Sequence, residues 1–157
     1  MKTDKKHKKR RITEIGWREW IGLPDLSISS LRAKIDTGAR TSALHATSQR
    51  LLEISGKEWV EFHVPVPGTS RSTRCRAPLI ARRQIKNTSG VAEERLIIET
   101  RLVLGNKAWP IEVSLANRDN MGHELILGRT AVRRRRLLIN PGRSYLAGPP
   151  RRAASQS

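Results

Sequence analysis

Lys34-Ile35-Asp36-Thr37-Gly38-Ala39 is the segment of this 157-residue chain whose residue types and spacing could do chemistry. Leu31, Ala33 and Ile35 alternate with Arg32 and Lys34, and this strand pattern runs directly into a carboxylate, a hydroxyl and a glycine. A carboxylate at a strand end, followed by a glycine that permits a sharp turn, can be held in a cleft with backbone N–H groups nearby. The same tripeptide also reads as a plain turn in which the aspartate caps its own backbone. A second segment, Glu124-Leu125-Ile126-Leu127-Gly128-Arg129, follows about ninety residues later, as an apolar strand ending in Gly-Arg ahead of a short helical stretch over Arg129 to Arg136.

The elements that must position these residues are mostly strands. Val60, Phe62 and Val64 alternate with Glu61 and His63, and Leu102 and Leu104 lead through Gly105-Asn106 into alternating Trp109, Ile111, Val113 and Leu115. That pattern predicts a hairpin, and short strands with turn signals every ten or so residues predict a mainly β barrel or sandwich. Trp17, Trp20, Trp59 and Trp109 fall among apolar neighbours and read as core. The length suits one domain. No run approaches the ~18 apolar residues of a membrane span.

The formal net charge of +17 is concentrated at the ends. Residues 1–11 hold seven Lys/Arg against one acid, and residues 133–157 hold seven Arg and no acid. Such ends attract phosphate or polyacidic partners, or act as solvated tails. A basic N-terminus without an apolar run behind it does not read as a secretory signal, and the single Cys75 excludes an internal disulfide. Both predict a cytoplasmic setting.

Taken together, Asp36-Thr37-Gly38-Ala39 and Leu127-Gly128-Arg129 resemble the retropepsin-like aspartic proteases, in which two such segments pack together beneath the catalytic cleft. Glu94 to Leu104 and Trp109 to Leu115 look like the strand pairs leading to that Gly-Arg, and Ile80 to Arg95 looks like the hairpin flap. More narrowly, Ile15 to Trp20, Lys34 to Ala46, Asn117 to Met121 and Leu127 to Thr130 resemble a bacterial branch labelled ATP-dependent zinc proteases and associated with RimK-type glutamate ligases. The resemblance implies a closed retropepsin-like β-barrel over residues 12–147 with one short helix after Leu-Gly-Arg, while the charge run at 1–11 reads as a disordered basic tail and Gly148 to Ser157 as a flexible one.

It also implies roles. Aspartic proteolysis needs two facing carboxylates that share one proton, and this chain has one Asp-Thr-Gly and the length of one lobe. The second carboxylate is then expected from a symmetric copy of the chain. Asp36 would activate water, Thr37 would hold the pair coplanar and Gly38 would offer backbone groups. Ala39, Arg40 and the flap tip Asn87-Thr88-Ser89-Gly90 would bind substrate, while Leu127, Gly128 and Arg129 support the cleft.

The label's two cofactors find little in the sequence. There is no Gly-x-x-x-x-Gly-Lys-Ser/Thr cradle for ATP and no His-Glu-x-x-His for zinc, so no cofactor and no metal ligand is assigned. Among the four histidines, only His45 is expected near the cleft. Retroviral members carry an acid where Arg40 stands, so Arg129 needs another acid, such as Asp119 or Glu124, unless both arginines bind an anion or Arg40 merely faces solvent. Two arginines beside a cleft favour acidic, glutamate-rich substrates. The leading expectation is a homodimeric aspartic peptidase or amide hydrolase with a functional link to a RimK-type ligase. The others are a non-catalytic module docking on nucleic acid, the ribosome or an acidic protein, and a metal-dependent hydrolase.

Overall fold

The computed structural model describes residues 11–86, 89–117 and 122–151. Six strands close into a barrel: β2 (Arg18–Leu23), β3 (Ile28–Asp36), β10 (Leu125–Gly128), β4 (Ser42–His45), β9 (Lys107–Ala116) and β8 (Ala92–Leu104). Closure comes from β2 returning to β8 through Ile21 opposite Leu104 and Gly22 opposite Val103. A meander of β7 (Ser72–Lys86), β6 (Lys57–Pro65) and β5 (Thr47–Ile54) projects from β8. The mainly β, closed-barrel expectation stands.

The two-residue period decides which side faces in. Leu31, Ala33 and Ile35 of β3 are buried, as are Val60, Phe62 and Val64 of β6 and Trp109, Ile111, Val113 and Leu115 of β9. Burying each large aliphatic side chain contributes roughly 1.5–3 kcal/mol relative to exposure. Of the four tryptophans, Trp109 alone is buried, and the other three are half-buried. No helix of the described residues is long and apolar enough to cross a membrane.

The chain ends are tied to each other. β1 (Thr13–Gly16) pairs in parallel with β11 (Leu137–Asn140) of the same chain, from Thr13 opposite Leu137 to Gly16 opposite Asn140. Glu19 is fully buried, and its carboxylate accepts the N–H groups of Gly16 at 2.6 Å, Leu146 at 2.9 Å and Ala147 at 3.1 Å. An ionised carboxylate loses much hydration on burial, and these three donors replace it. The Arg18 guanidinium lies between the rings of Trp17 and Tyr145, at 4.7 and 5.2 Å from their centroids. Contact continues to Arg151, whose N–H donates to the Gly105 carbonyl at 2.8 Å.

The helix expected over Arg129 to Arg136 is a single turn, α1 (Arg129–Val132). Arg133 is extended, with φ −63° and ψ 149°, and Arg134 and Arg136 have positive φ. The four arginines 133–136 therefore lie beyond the helix.

Candidate active site

β3 and β4 are joined through Asp36-Thr37-Gly38 yet do not pair with each other, because β10 lies between them. It runs parallel to β3 with Gly128 opposite Asp36, and antiparallel to β4 with Leu125 opposite Leu44. The two segments singled out in the sequence are thus adjacent strands, with their chemical ends side by side.

The turn after Asp36 is held from two directions. From within, the Gly38 N–H donates to Asp36 Oδ1 at 3.1 Å and the Ala39 N–H to the Asp36 carbonyl at 3.1 Å. From α1, the Arg129 N–H donates to the Ala39 carbonyl at 2.8 Å and the Thr130 hydroxyl to the Arg40 carbonyl at 2.8 Å. Gly128 lets the segments approach: a β-carbon there would sit 2.6 Å from the Thr41 carbonyl oxygen and 2.9 Å from that of Ala39. The Gly128 N–H donates to Ser42 Oγ at 3.0 Å, and the Ser114 hydroxyl donates to the Ser42 carbonyl at 2.9 Å, both within the buried interior.

Asp36 is half-buried, whereas Thr37, Gly38 and Arg40 are exposed. A cleft of about 780 Å³ opens beside the turn, between its following residues Arg40, Thr41 and Ser42, the β7 segment Arg83 to Ile85, and β9. Asp36 does not line this cleft. Arg40, Arg83 and Arg133 bring three cations to it against Glu99 and Glu112, and Arg83 pairs with Glu112 at 3.1 Å. β7 and β8 form the long hairpin expected of a flap, paired from Leu79 opposite Ile98 to Lys86 opposite Ala92. Ser89 and Gly90 are exposed at its turn, and the expected tip residues Asn87 and Thr88 lie outside the described residues.

Two expectations about neighbours change. Arg129 does not reach Glu124: its Nη1 donates to the Gly38 carbonyl at 3.2 Å, and Glu124 instead binds Arg32 at 2.8 Å. The other suggested acid, Asp119, lies outside the described residues. His45 is not beside Asp36. It ends β4 at the opposite end of β10, where its N–H donates to the Glu124 carbonyl at 2.9 Å. Among the described residues no three His, Cys, Asp or Glu side chains gather in one cluster.

Sequence reasoning missed Ser42, Ser114 and Thr130. Their only sequence signal is a polar residue within apolar strands or next to Gly-Arg. Ser42 sits at the start of β4, where its hydroxyl accepts the Gly128 N–H.

Comparison with known proteins agrees with this fold. Residues 14–150 match the RimB-like family, described as the retropepsin-like aspartic endopeptidase RimB. The chain is 44% identical over 129 residues to a protein of Desulfotalea psychrophila named probable alpha-L-glutamate ligase, covering 81% of this chain and 28% of that one. It is 38% identical over 136 residues to a protein of the same name from Shewanella pealeana, covering 85% and 30%. The chain therefore spans less than a third of the length of these relatives. A crystal structure of a Legionella pneumophila protein of unknown function superposes with a TM-score of 0.75 at 26% identity, covering 86% of this chain and 98% of that one.

Proposed function

The chain belongs to the RimB-like family of retropepsin-like aspartic endopeptidases, and from that premise we propose that it hydrolyses amide bonds as a symmetric homodimer with one Asp36 from each subunit. The observation that carries this reading is the Asp36 turn itself. It is pinned by Gly128, Arg129 and Thr130, yet Thr37 and Gly38 face outward, where a second copy could meet them.

In the paired site one Asp36 carboxylate takes a proton from water as the water oxygen attacks the scissile carbonyl carbon. The other, protonated, gives its proton to the carbonyl oxygen. Collapse of the tetrahedral intermediate breaks the C–N bond, and a proton passes to the leaving amine. Thr37 keeps the two carboxyls in one plane, and the β7–β8 hairpin adds substrate as an extended strand.

Arg40, Arg83 and Arg133 favour an acidic peptide. The ligase names of the relatives point the same way, toward a glutamate-bearing substrate and a RimK-type ligase as functional partner. The test combines solution mass with hydrolysis of a glutamate-rich peptide. Expected are a dimer and activity that Asp36→Asn abolishes without lowering the melting temperature. A strictly monomeric protein with full activity, or unchanged turnover in Asp36→Asn, overturns the reading.

A further inference from the structure

The sheet projecting from the barrel carries a charge imbalance on its outer face that hydrolysis does not use. Val60, Phe62, Val64, Cys75 and Ala77 turn one face of β6 and β7 toward the core. The opposite face holds Arg50, Glu61 and Arg76 in one cross-strand row. His63 and Arg74 follow on one side of that row, and Leu52, Trp59 and Pro78 on the other.

Glu61 contacts Arg50 at 2.7 Å, Arg76 at 3.0 Å and Arg74 at 3.2 Å. Three guanidinium groups on one carboxylate leave two positive charges uncompensated. The arginine side chains remain 63%, 45% and 62% exposed, against 9% for Glu61. No second acid lies on this face among the described residues. Guanidinium forks bind oxyanions through paired hydrogen bonds, so a second anion completes the cluster.

Half-buried Trp59 decides which anion. It lies two residues from Glu61 on the same face, roughly 7 Å along the strand. An acidic peptide would use the arginines alone, whereas an indole beside phosphate-binding cations suits a stacked base. We infer that the outer face of β5, β6 and β7 binds single-stranded nucleic acid, with Arg50, Arg74 and Arg76 on phosphates and Trp59 against a base. This site stands independently of the hydrolytic reading.

The test measures binding of a fluorescein-labelled uridine dodecamer to the full chain by anisotropy across salt concentrations. Replacing Arg50, Arg74 and Arg76 together by Gln should weaken binding at least tenfold and reduce the salt slope by about 2, at roughly 0.7 per phosphate on a single strand. Trp59→Ala should weaken binding about fivefold or more with the slope unchanged, and Trp59→Phe should retain most of the affinity. Should the triple variant fold poorly, Arg74→Gln alone, at an exposed position, should cost about threefold with the melting temperature unchanged. Undiminished affinity in all these variants would mean that the basic ends bind alone, and overturns the site. So does an oligoglutamate that the same arginine changes weaken equally while Trp59→Ala has no effect, since the partner would then be an acidic polypeptide.

Discussion

Arg129 Nη1 lies 3.2 Å from the carbonyl oxygen of Gly38, so a cation from α1 rests on the turn that carries Asp36. With Arg40 in place of an acid, the guanidinium finds a backbone oxygen and still ties the two segments. Its exposure limits its effect on stability to about 1 kcal/mol or less. Arg129→Met should therefore leave the melting temperature nearly unchanged while lowering kcat at least tenfold, measured on the peptide used for Asp36→Asn.

Gly128 has the opposite character. It has an ordinary φ of −79°, so its requirement is space and not backbone freedom. Gly128→Ala drives a methyl group into the carbonyls of Thr41 and Ala39, and overpacking of this kind costs about 1–3 kcal/mol or more. Urea unfolding should show a loss of about 3 kcal/mol with an unchanged m-value.

Ser42→Ala leaves the buried Gly128 N–H without an acceptor, a cost of about 1–3 kcal/mol. Ser114→Ala removes only a donor to the Ser42 carbonyl and should cost less. The double variant should fall short of the sum, because the two hydroxyls share one network.

The arginines around Glu61, foremost the hydrogen bonds from Arg50 and Arg76, hold its carboxyl down to about 2. A depressed carboxylate adds stability that is fully present above its unfolded value near 4.5 and is lost as pH falls toward 2. The stability difference between the native protein and Glu61→Gln should therefore be flat above pH 5 and shrink between about 4.5 and 2. A difference independent of pH would contradict the arrangement.

The legible parts of this fold were those written locally. The alternation around Val60 and Trp109 gave buried strand faces, and Asp36-Thr37-Gly38 with Leu127-Gly128-Arg129 gave two segments now seen side by side. The supports of the site were not legible. Ser42, Ser114 and Thr130 act on backbone groups about 70 to 90 residues away, and Glu19 binds N–H groups more than 120 residues downstream. No period or motif marks a hydroxyl for such a partner. The helix was overextended because Arg133 to Arg136 are good helix formers, whereas tertiary pairing of β11 with β1 turns the chain away after Val132.

Because β10 slots between two strands that were made some ninety residues earlier, a chain still being synthesised holds Asp36 on an unbraced loop until Leu125 to Thr130 emerge. Pairings of such long sequence separation close late. Asp36 thereby gains its bracing only once Leu125 to Thr130 are in place, and on the proposed reading a fragment ending before that strand should show no hydrolysis.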